Sequence, residues 1–349
     1  MSAIHIRPAD LADDAALRAL LREVDMPGWV RMVTTREPSH FAASRRFGDE
    51  QTFIGHDGDV PVGMFACATQ PLWINGQART AGYLGALRVR PSYRHRARLL
   101  RQGFAVVRQS VPPHALPLWY TAIGSGNHAA RRVLEAGLRG LPRYRYLNDL
   151  VTLALPARRG RRHGLWQPVP PAALPALCDF HARQASQYQF SPVLHARKAL
   201  ETGANFHAVQ HAGQTVACVA LWDQRGLQQA RALGYATPLA RALPLLNAWA
   251  HMARRVPLPR VGEPLDHGYA AFLAVAPDCP APIDVLIEDA LAICPTPILS
   301  LGLHGAHPWL ALLQRRFHPA RYATRLYAVG FDDDHALGPR PCQPEVAVM

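Results

Sequence analysis

Residues 83 to 105 read YLGALRVRPSYRHRARLLRQGFA, and this stretch decides the fold. Its first part reads as a strand, which Pro91 ends because proline has no N–H to offer a sheet. Beyond the proline, apolar residues recur at roughly helical spacing with arginines on the other face, namely Leu99, Leu100, Phe104 and Val107. The pattern therefore predicts a strand that runs through a short loop directly into a helix.

The same stretch is strongly basic. Six arginines lie within fourteen residues with no acid among them: Arg88, Arg90, Arg94, Arg96, Arg98 and Arg101. Arginines at the start of a helix suit an anion, because unpaired N–H groups and the positive end of the helix dipole favour negative charge there. A solvated helix face is the alternative interpretation of this cluster.

Two strands precede this unit. Gln51 to His56 and Val62 to Trp73 have strand character, and Asp57-Gly58 between them supplies the residues that a tight hairpin needs. Asn75-Gly76 then joins the second of these strands to a third, Arg79 to Val89. We therefore predict three consecutive antiparallel strands.

A further strand and helix follow the basic stretch. Leu118 to Ile123 is strand-like, and a helix capped near Asn127 carries apolar residues on one side, namely Ala130, Val133, Leu134 and Leu138. The chain opens with IHIRPADLADDAALRALLRE, which reads as a strand and an amphipathic helix. The predicted order is β, α, three antiparallel β, α, β, α, β.

The chain starts this pattern twice. WQPVPPAALPALCDFHARQ, from residue 166, resembles the opening segment, and two later matches come in the same order: 87–105 with 273–292, and 119–138 with 298–317. The basic run PARRGRRHG separates the copies. We predict a first domain at 1–157, an Arg-rich linker at 158–165, a degenerate second copy at 166–334 and a loose, proline-rich tail at 335–349. The expected fold class is mixed α/β (α+β), in which each domain has a central, mostly antiparallel mixed sheet flanked by helices.

Composition limits the function classes. With 349 residues, 49% hydrophobic and 18% charged, the chain suits two globular domains, and no apolar run approaches the ~20 residues that cross a bilayer. It opens without a secretion signal and its six cysteines form no CxxC pair, so we expect a soluble, cytoplasmic protein with reduced thiols. The net charge of +13 is discounted because Lys198 is the only lysine, which indicates codon bias as much as a basic surface.

Several common chemistries lack their motifs. No P-loop, GxSxG, HExxH or dinucleotide-binding glycine pattern occurs in the sequence. His304 and His307 form a His-x-x-His pair without a nearby acid or cysteine, so we expect no metal. The sequence therefore points away from nucleotide hydrolysis, serine hydrolysis and metalloprotease activity.

Four segments resemble the GNAT N-acetyltransferase superfamily: IHIRPAD, DGDVPVG, ALRVRPSYRHR and NHAARRVLEAGL. The resemblance covers about 1–155 well and 166–332 weakly. It implies acetyl-CoA or another acyl-CoA as the cofactor. In this family a Gln/Arg-x-x-Gly-x-Gly/Ala loop holds the pyrophosphate through backbone N–H groups at the N-terminus of a helix.

Laid onto this sequence, the family's loop begins at Arg94, and its glycine positions fall on Ala97 and Leu99. Glycine serves there because a phosphate approaches the backbone closely, and the arginines of this loop add charge-assisted donors in its place. The resemblance thus implies cofactor contacts by the backbone of Leu87 and Val89, by Arg94, His95, Arg96, Ala97, Arg98 and Leu99, and by Asn127.

The family's thiolate-protonating tyrosine lies seven residues after the asparagine, where this sequence has Leu134. A thiol pKa of about 8.5 makes thiolate a fair leaving group without an acid, so this loss need not abolish transfer. Tyr83, Tyr120 and His128 are the remaining candidates for a proton relay. Each has a structural alternative, because tyrosines in strands are ordinarily core residues.

We therefore expect an acyl-CoA-dependent N-acyltransferase, most simply an N-acetyltransferase, in which an amine of a small molecule or peptide attacks the thioester directly. The acceptor is expected near Tyr83 and Tyr120, between splayed strands. PDCPAPIDVL replaces the anion loop in the second copy, which we expect to build the interface. A non-catalytic acyl-CoA-binding module and a basic nucleic-acid binder stay open as alternatives, and the absence of interleaved aromatic and basic residues counts against the latter.

Overall fold

The computed structural model describes residues 4–23, 30–44, 48–94, 97–110, 118–331 and 337–349. The first half contains β1 (Ile4–Pro8), α1 (Asp14–Glu23), β2 (Val30–Thr35), α2 (His40–Ser44), β3 (Asp49–Asp57), β4 (Val60–Ile74), β5 (Gln77–Val89), α3 (Ala97–Ser110), β6 (Trp119–Gly124), α4 (His128–Leu134) and β7 (Arg143–Pro156). The second half contains β8 (Gln167–Pro168), α5 (Leu174–Ala185), β9 (Ser191–Pro192), α6 (Ala196–Glu201), β10 (Asn205–His211), β11 (Gln214–Trp222), β12 (Gln229–Tyr235), α7 (Thr237–Met252), β13 (His267–Val275), α8 (Ile283–Ile293), β14 (Ile298–His304), α9 (Pro308–Phe317) and β15 (Ala320–Gly330). Within these ranges, none of the helices combines the length and the hydrophobicity needed to cross a bilayer.

Thirteen of the described strands form one mixed sheet. Its order is β1-β3-β4-β5-β6-β15-β7-β14-β13-β11-β10-β8, with β9 paired to β4. The last strand of each half crosses to the other half, because β15 lies between β6 and β7 while β7 also pairs with β14. The two halves therefore share one sheet whose centre consists of exchanged strands.

The predicted antiparallel meander is confirmed. β3 pairs with β4, and β4 pairs with β5. At the turn between β4 and β5, Asn75 and Gly76 have φ of 52° and 80°, the left-handed values that a two-residue hairpin requires. The positions of these residues in the sequence therefore set where β4 ends and β5 begins.

A small second sheet joins the halves and was missing from the sequence-based order of elements. β2 pairs antiparallel with β12. Beside this ribbon, the Thr35 hydroxyl donates to Oε1 of Gln229 at 3.0 Å, although 194 residues separate them along the chain. A six-residue strand whose partner is so distant leaves no hairpin signal in the sequence.

The two halves repeat one structural unit. β5 and β6 are parallel neighbours with α3 between them along the chain, and β13 and β14 are parallel neighbours with α8 between them. The first strand of each pair carries an irregularity three residues before its end, where Ala86 has φ of 51° and Phe272 has φ of 53°. A bulge bends a strand away from its neighbour. The predicted match of 87–105 with 273–292 is thereby confirmed.

The Arg-rich segment between the halves is firmly anchored. Asp289 of α8 is fully buried and accepts the backbone N–H groups of four successive residues, 163–166. Burial alone would raise the pKa of Asp289, but these bonds bring it below its ordinary value. Arg158 and Arg159 donate to carbonyls of Ala250 and Ala253 at the end of α7.

The segment 337–349, which the composition predicts to be loose, is packed. Ala347 and Val348 are buried in the core of the second half. The backbone N–H of Gln343 donates to the carbonyl of Gln189 at 2.9 Å. The prediction of a loose tail was wrong here because proline prevents helix formation but not an extended segment held by side chains.

Candidate functional site

A cleft opens where β5 and β6 separate. The two parallel strands pair at two positions, Gly82 with Trp119 and Tyr83 with Tyr120. At the fork the Thr121 hydroxyl donates to the Leu84 carbonyl at 2.6 Å, which satisfies an acceptor beyond the end of the ladder. The bulge at Ala86 then directs the rest of β5 away from β6.

This cleft belongs to a cavity of about 650 Å³ that extends along both faces of the sheet. The faces can be told apart because side chains alternate along a strand. Leu84 packs with Val107 of α3, whereas Ala86 and Met64 pack with Leu17 of α1. The cleft therefore connects an α3 face with an α1 face.

The α3 face of the cavity is apolar. Eight side chains line what we call the apolar chamber: Phe65, Leu99, Phe104, Val107, Ile123, Ala130, Leu134 and Tyr144. Gly103 also borders it, and an added Cβ there would stand 3.4 Å from the ring of Phe65. This chamber offers hydrophobic surface without a charged group.

The α1 face is polar. Five side chains line what we call the polar chamber: Arg36, Glu50, Tyr83, Arg88 and Tyr322. Glu50 accepts two hydrogen bonds from Arg36, with Nη2 at 2.9 Å from Oε2. Among the described residues, Glu50 is the one carboxylate side chain that lines the cavity. Tyr322 reaches the end of β6, where its hydroxyl would lie 2.7 Å from an added Cβ on Gly124.

Burial changes the titration of the polar chamber. Burial, and then the charge of Glu50, raises the pKa of Tyr83 to about 12, so its hydroxyl stays protonated at neutral pH. Burial, and then the nearby Arg36, lowers the pKa of Arg88 from its ordinary value. The chamber thus presents a phenol donor and a second guanidinium beside the Arg36–Glu50 pair.

The six clustered arginines do not act as one group. Arg90 forms an ion pair with Glu23 at 2.9 Å, and Arg101 donates to the carbonyl of Arg139 at 2.9 Å. Arg88 lines the polar chamber instead. Half of the cluster is therefore committed to contacts within the protein or to the cavity.

The other three arginines belong to the proposed pyrophosphate loop. Arg94 bonds the last carbonyl of β5 at 3.2 Å, and Arg98 is exposed on the first turn of α3, which begins at Ala97. His95 and Arg96 lie outside the described residues. Leu99, at a glycine position of the family pattern, is buried and lines the apolar chamber. Its side chain therefore extends toward the cavity.

The remaining cofactor candidates border the same cavity. Leu87 and Val89 line it on β5, and Asn127 lines it on the far side of the cleft. The Asn127 side chain accepts the Ala130 N–H at 3.2 Å and so caps α4. The structure thus brings these three residues together around the cleft.

The three proton-relay candidates have different environments. Tyr83 lines the polar chamber, whereas Tyr120 is fully buried, accepts a bond from Gln70 at 2.8 Å and does not reach the cavity. His128 is exposed at the start of α4 and also lies outside the lining. Of the three, the cavity includes Tyr83 alone.

Sequence reasoning missed Arg36, Glu50, Thr121 and Tyr322. Glu50 and Arg36 lie outside every motif, and their pairing depends on how the chain returns to the sheet after β2. Tyr322 reaches the cleft because β15 is exchanged between the halves. Thr121 lies within a predicted strand, and its hydroxyl at the fork is the one feature that the strand pattern could have indicated.

The corresponding cleft between β13 and β14 is bridged by the segment 337–349. Gln343 contacts β14, where its Oε1 accepts the His304 N–H at 2.7 Å and its Nε2 donates to the Gly302 carbonyl at 3.1 Å. Glu345 contacts β13 by accepting the Phe272 N–H at 2.8 Å. Side chains of one segment thus satisfy backbone groups of both separated strands.

His304 and His307 belong to an aromatic cluster. Their rings are 4.9 Å apart, and both lie against Tyr188. Burial lowers the pKa of each histidine. In the part of the chain that the structure describes, no three His, Cys, Asp or Glu side chains are grouped so that they could hold a metal ion.

This architecture matches solved structures. Saccharomyces cerevisiae N-myristoyltransferase with bound myristoyl-CoA aligns at a TM-score of 0.61 and 8% identity, covering 98% of this chain and 88% of that chain. A second structure of that enzyme aligns at 0.60 and 10% identity, with coverages of 100% and 84%. The chain has a GNAT fold.

A further match is a conserved protein of unknown function from Enterococcus faecalis V583, described as a probable N-acyltransferase. It aligns at a TM-score of 0.50 and 8% identity, covering 94% of this chain and 72% of that chain. No protein-family model and no curated protein matches the sequence. The GNAT fold expected from four short segments is thus confirmed by three-dimensional similarity.

Proposed function

We propose that this protein is an acyl-CoA-dependent N-acyltransferase whose reaction takes place in the first half. The observation that carries the proposal is the cleft between β5 and β6, which joins an apolar and a polar chamber beside the first turn of α3. A structural neighbour with the same fold holds myristoyl-CoA, which supports a CoA thioester as the donor.

The residues around the cleft fit such a donor. The backbone of Leu87 and Val89 lies along the separated part of β5, where an extended pantetheine chain can pair as an added strand. Arg94 and Arg98 stand at the start of α3, where a helix N-terminus favours an anion. Arg96 and His95 belong to the same proposed contact.

The apolar chamber favours an acyl group longer than acetyl. Acetyl-CoA is the donor with the shortest acyl chain that we expect the cleft to bind. Each methylene group moved from water into an apolar site contributes about 0.8 kcal/mol. The chamber has aromatic and aliphatic walls and no charge to satisfy, so affinity should grow with chain length. We therefore propose a medium- or long-chain acyl donor.

The polar chamber supplies what the amine needs. Glu50 attracts an ammonium group, and Tyr83, protonated at neutral pH, can donate a hydrogen bond near the fork. When bound, the CoA thioester supplies an activated carbonyl. The ammonium group first releases one proton to solvent and becomes a neutral amine. The C–N bond then forms, the C–S bond breaks, and the second proton lost by nitrogen is taken up by the sulfur. A thiol pKa of about 8.5 makes this exchange feasible without a dedicated acid.

Calorimetry on the full chain tests the donor. We expect binding of acetyl-, octanoyl- and myristoyl-CoA with affinity that rises along this series, and weaker binding of free CoA. The full chain is required because β15 completes the sheet between β6 and β7. No heat with any of these compounds at millimolar concentration would overturn the proposal.

Turnover is a separate measurement. Release of free CoA thiol in the presence of a panel of amines, over the rate without amine, would demonstrate transfer. Binding without amine-dependent release would favour the alternative of a non-catalytic acyl-CoA-binding module, for which Leu134 and Leu99 at family positions are the motivating residues.

A further inference from the structure

Arg88 lines the cavity with a guanidinium whose hydrogen-bond donors and charge are only partly satisfied by the protein. Its Nη1 donates to the carbonyl of Leu87 at 3.0 Å. Its Nε is buried without a hydrogen-bond partner, and within the described residues no carboxylate lies at ion-pair distance from its guanidinium. A guanidinium carries five N–H donors, so most of its hydrogen-bonding capacity is left without an acceptor from the protein.

The neighbours of Arg88 reinforce this imbalance. Arg88 lies opposite Met64 in the β4–β5 ladder and therefore points to the α1 face. The groups that influence its charge there are Arg36, Tyr322 and Tyr83. Because Arg36 is paired with Glu50, the five described side chains of the polar chamber together carry one positive charge more than they have carboxylates.

A partly buried cation without a counter-ion costs folding free energy, because it loses hydration and gains no partner. An apolar residue would fill the same place at less cost. A ligand that supplies the missing anion would offset this cost, and a planar guanidinium matches a carboxylate with two parallel hydrogen bonds.

We propose that Arg88 binds a carboxylate of the acceptor, so that the amine acylated by this protein belongs to an amino-acid-like molecule. This inference rests on the proposed acyltransferase function and names its acceptor class. Glu50 receives the ammonium group, Arg88 receives the carboxylate, and Tyr83 lines the same chamber.

A phosphate of the acyl donor is the competing anion. The start of α3, with Arg94 and Arg98, is the place for that phosphate, whereas the side chain of Arg88 belongs to the face on which α1 packs. The donor and the acceptor carboxylate therefore occupy opposite faces of the sheet and meet at the fork.

The test uses the full chain and its Arg88→Met variant, which keeps a long apolar side chain and removes the charge. Initial rates with myristoyl-CoA are measured for the common amino acids and for their carboxamides, and each variant-to-wild-type ratio is compared within a pair so that amine basicity cancels. We expect the KM for the carboxylates to rise on the order of 10- to 100-fold, the loss of a charge-assisted contact, with the carboxamides unchanged.

Arg90→Met is the matched control, because Arg90 lies two residues further on and pairs with Glu23 outside the cavity. It should leave both acceptor classes unchanged. Arg88→Lys should recover part of the preference for carboxylates, since a point charge attracts the anion without the planar match.

Stability gives a second readout. If Arg88 lacks a counter-ion until a ligand binds, Arg88→Met should melt at the same temperature as wild type or higher, because it removes an unpaired buried charge. A lower melting temperature together with equal losses for carboxylates and carboxamides would show a structural role and overturn the proposal. A loss of myristoyl-CoA affinity in Arg88→Met, measured without acceptor, would assign the residue to the donor and overturn it as well.

Direct binding separates this proposal from the proposed function. Calorimetry of the same carboxylate and carboxamide pairs without acyl-CoA should show preference for the carboxylate in wild type and none in Arg88→Met. Absence of that preference overturns the acceptor assignment even if acyl-CoA binds. Failure of all acyl-CoA binding, with the carboxylate preference intact, overturns the acyltransferase while the anion site stands.

Discussion

The clefts of the two halves have the same backbone geometry but differ in whether the chain's own side chains bridge them. In both, two parallel strands separate after a short ladder, and a positive-φ residue, Ala86 or Phe272, bends the first strand. The first cleft opens into the cavity, whereas Gln343 and Glu345 bridge the second, which borders the same cavity at Tyr269, Ser300 and Val346. A repeated fold therefore does not imply a repeated function, because the difference lies in what fills the cleft.

The loops beyond the two clefts differ as well. After β5 come Arg94 and Arg98 at the start of α3, while the segment between β13 and α8 carries prolines, Asp278 and no arginine. Prolines remove N–H donors and the acid repels an anion. The second half thus lacks the arginines proposed to bind an anion, and its own chain bridges its cleft. Both differences favour the first half for the proposed ligand binding.

The largest expected effect comes from filling the first cleft as the second is filled. Gly103→Phe places a ring in the apolar chamber, and because phenylalanine favours helix more than glycine does, α3 should still form. We expect the Kd for myristoyl-CoA to rise by about 100-fold, equal to the burial of roughly three methylene groups, with a much smaller change for acetyl-CoA. Calorimetry with both donors measures the difference.

Ala105→Phe is the matched control, since Ala105 is exposed on the same helix and lies outside the cavity lining. It should change neither affinity. Equal weakening of both donors by Gly103→Phe would mean that the apolar chamber does not hold the acyl chain.

The second cleft can be opened by expelling its occupant. A Cβ on Gly302 would lie 2.4 Å from a methyl carbon of Val346, so Gly302→Val should displace the segment 337–349. Overpacking of this kind costs about 1 to 3 kcal/mol of unfolding free energy, and we expect faster proteolysis near the displaced segment. Calorimetry should still give one acyl-CoA per chain, because the second loop lacks cations.

Gly226→Val serves as the control because nothing lies within 4 Å of an added Cβ there. Its stability and proteolysis should match wild type. Two acyl-CoA molecules bound per chain in Gly302→Val would show that the occupant alone distinguishes the two clefts.

A pH profile examines how the second cleft is held shut. Burial raises the pKa of Glu345 to about 7, above its ordinary value of 4.5. Because the folded chain then holds a proton that the unfolded chain has released, the unfolding free energy should fall as pH rises from about 5 to 7, by at most about 1.4 kcal/mol per pH unit. Glu345→Gln keeps an acceptor oxygen and cannot ionise, so its difference from wild type isolates this slope.

Denaturant titrations of wild type and Glu345→Gln at pH 5, 6, 7 and 8 measure how the unfolding free energy depends on pH. A wild-type profile parallel to that of Glu345→Gln would mean that the carboxyl does not retain its proton when the segment is docked. Buried histidines contribute equally to both profiles and cancel in the comparison.

The features that local sequence determines were predictable. Turn residues such as Asn75 and Gly76 set the meander, and the helical spacing after Pro91 predicted α3. The exchange of β7 and β15 was not predictable, because either strand can pair with several neighbours and the choice depends on packing between the halves. Local pattern thus gives the elements, and long-range pairing gives the order of the sheet.

The site divides in the same way. Tyr83, Leu87 and Val89, which line the cavity, could be named from the sequence because they lie on the predicted strand that ends before Pro91. Glu50 and Tyr322 were not, since they come from distant segments and meet only after the sheet closes. Tyr120 was a reasonable candidate by position along β6, yet it faces the core, where Gln70 satisfies its hydroxyl.

The smallest expected effect concerns the one contrast between the halves that is purely electrostatic. Arg98 is exposed, so solvent screens its attraction for a pyrophosphate, and its removal should cost less than the ~1.5 kcal/mol of a protected charge-assisted bond. We expect Arg98→Ala to weaken CoA binding 2- to 10-fold at low salt and less at high salt, while pantetheine, which lacks the pyrophosphate, should bind equally. Arg197→Ala is the control, because Arg197 is 93% exposed on α6, far along the chain from the anion loop. CoA could instead bind wild type and Arg98→Ala with equal affinity at every salt concentration. The backbone of α3 and the remaining loop arginines would then be the source of anion binding, and Arg98 would not contribute to the difference between the two clefts.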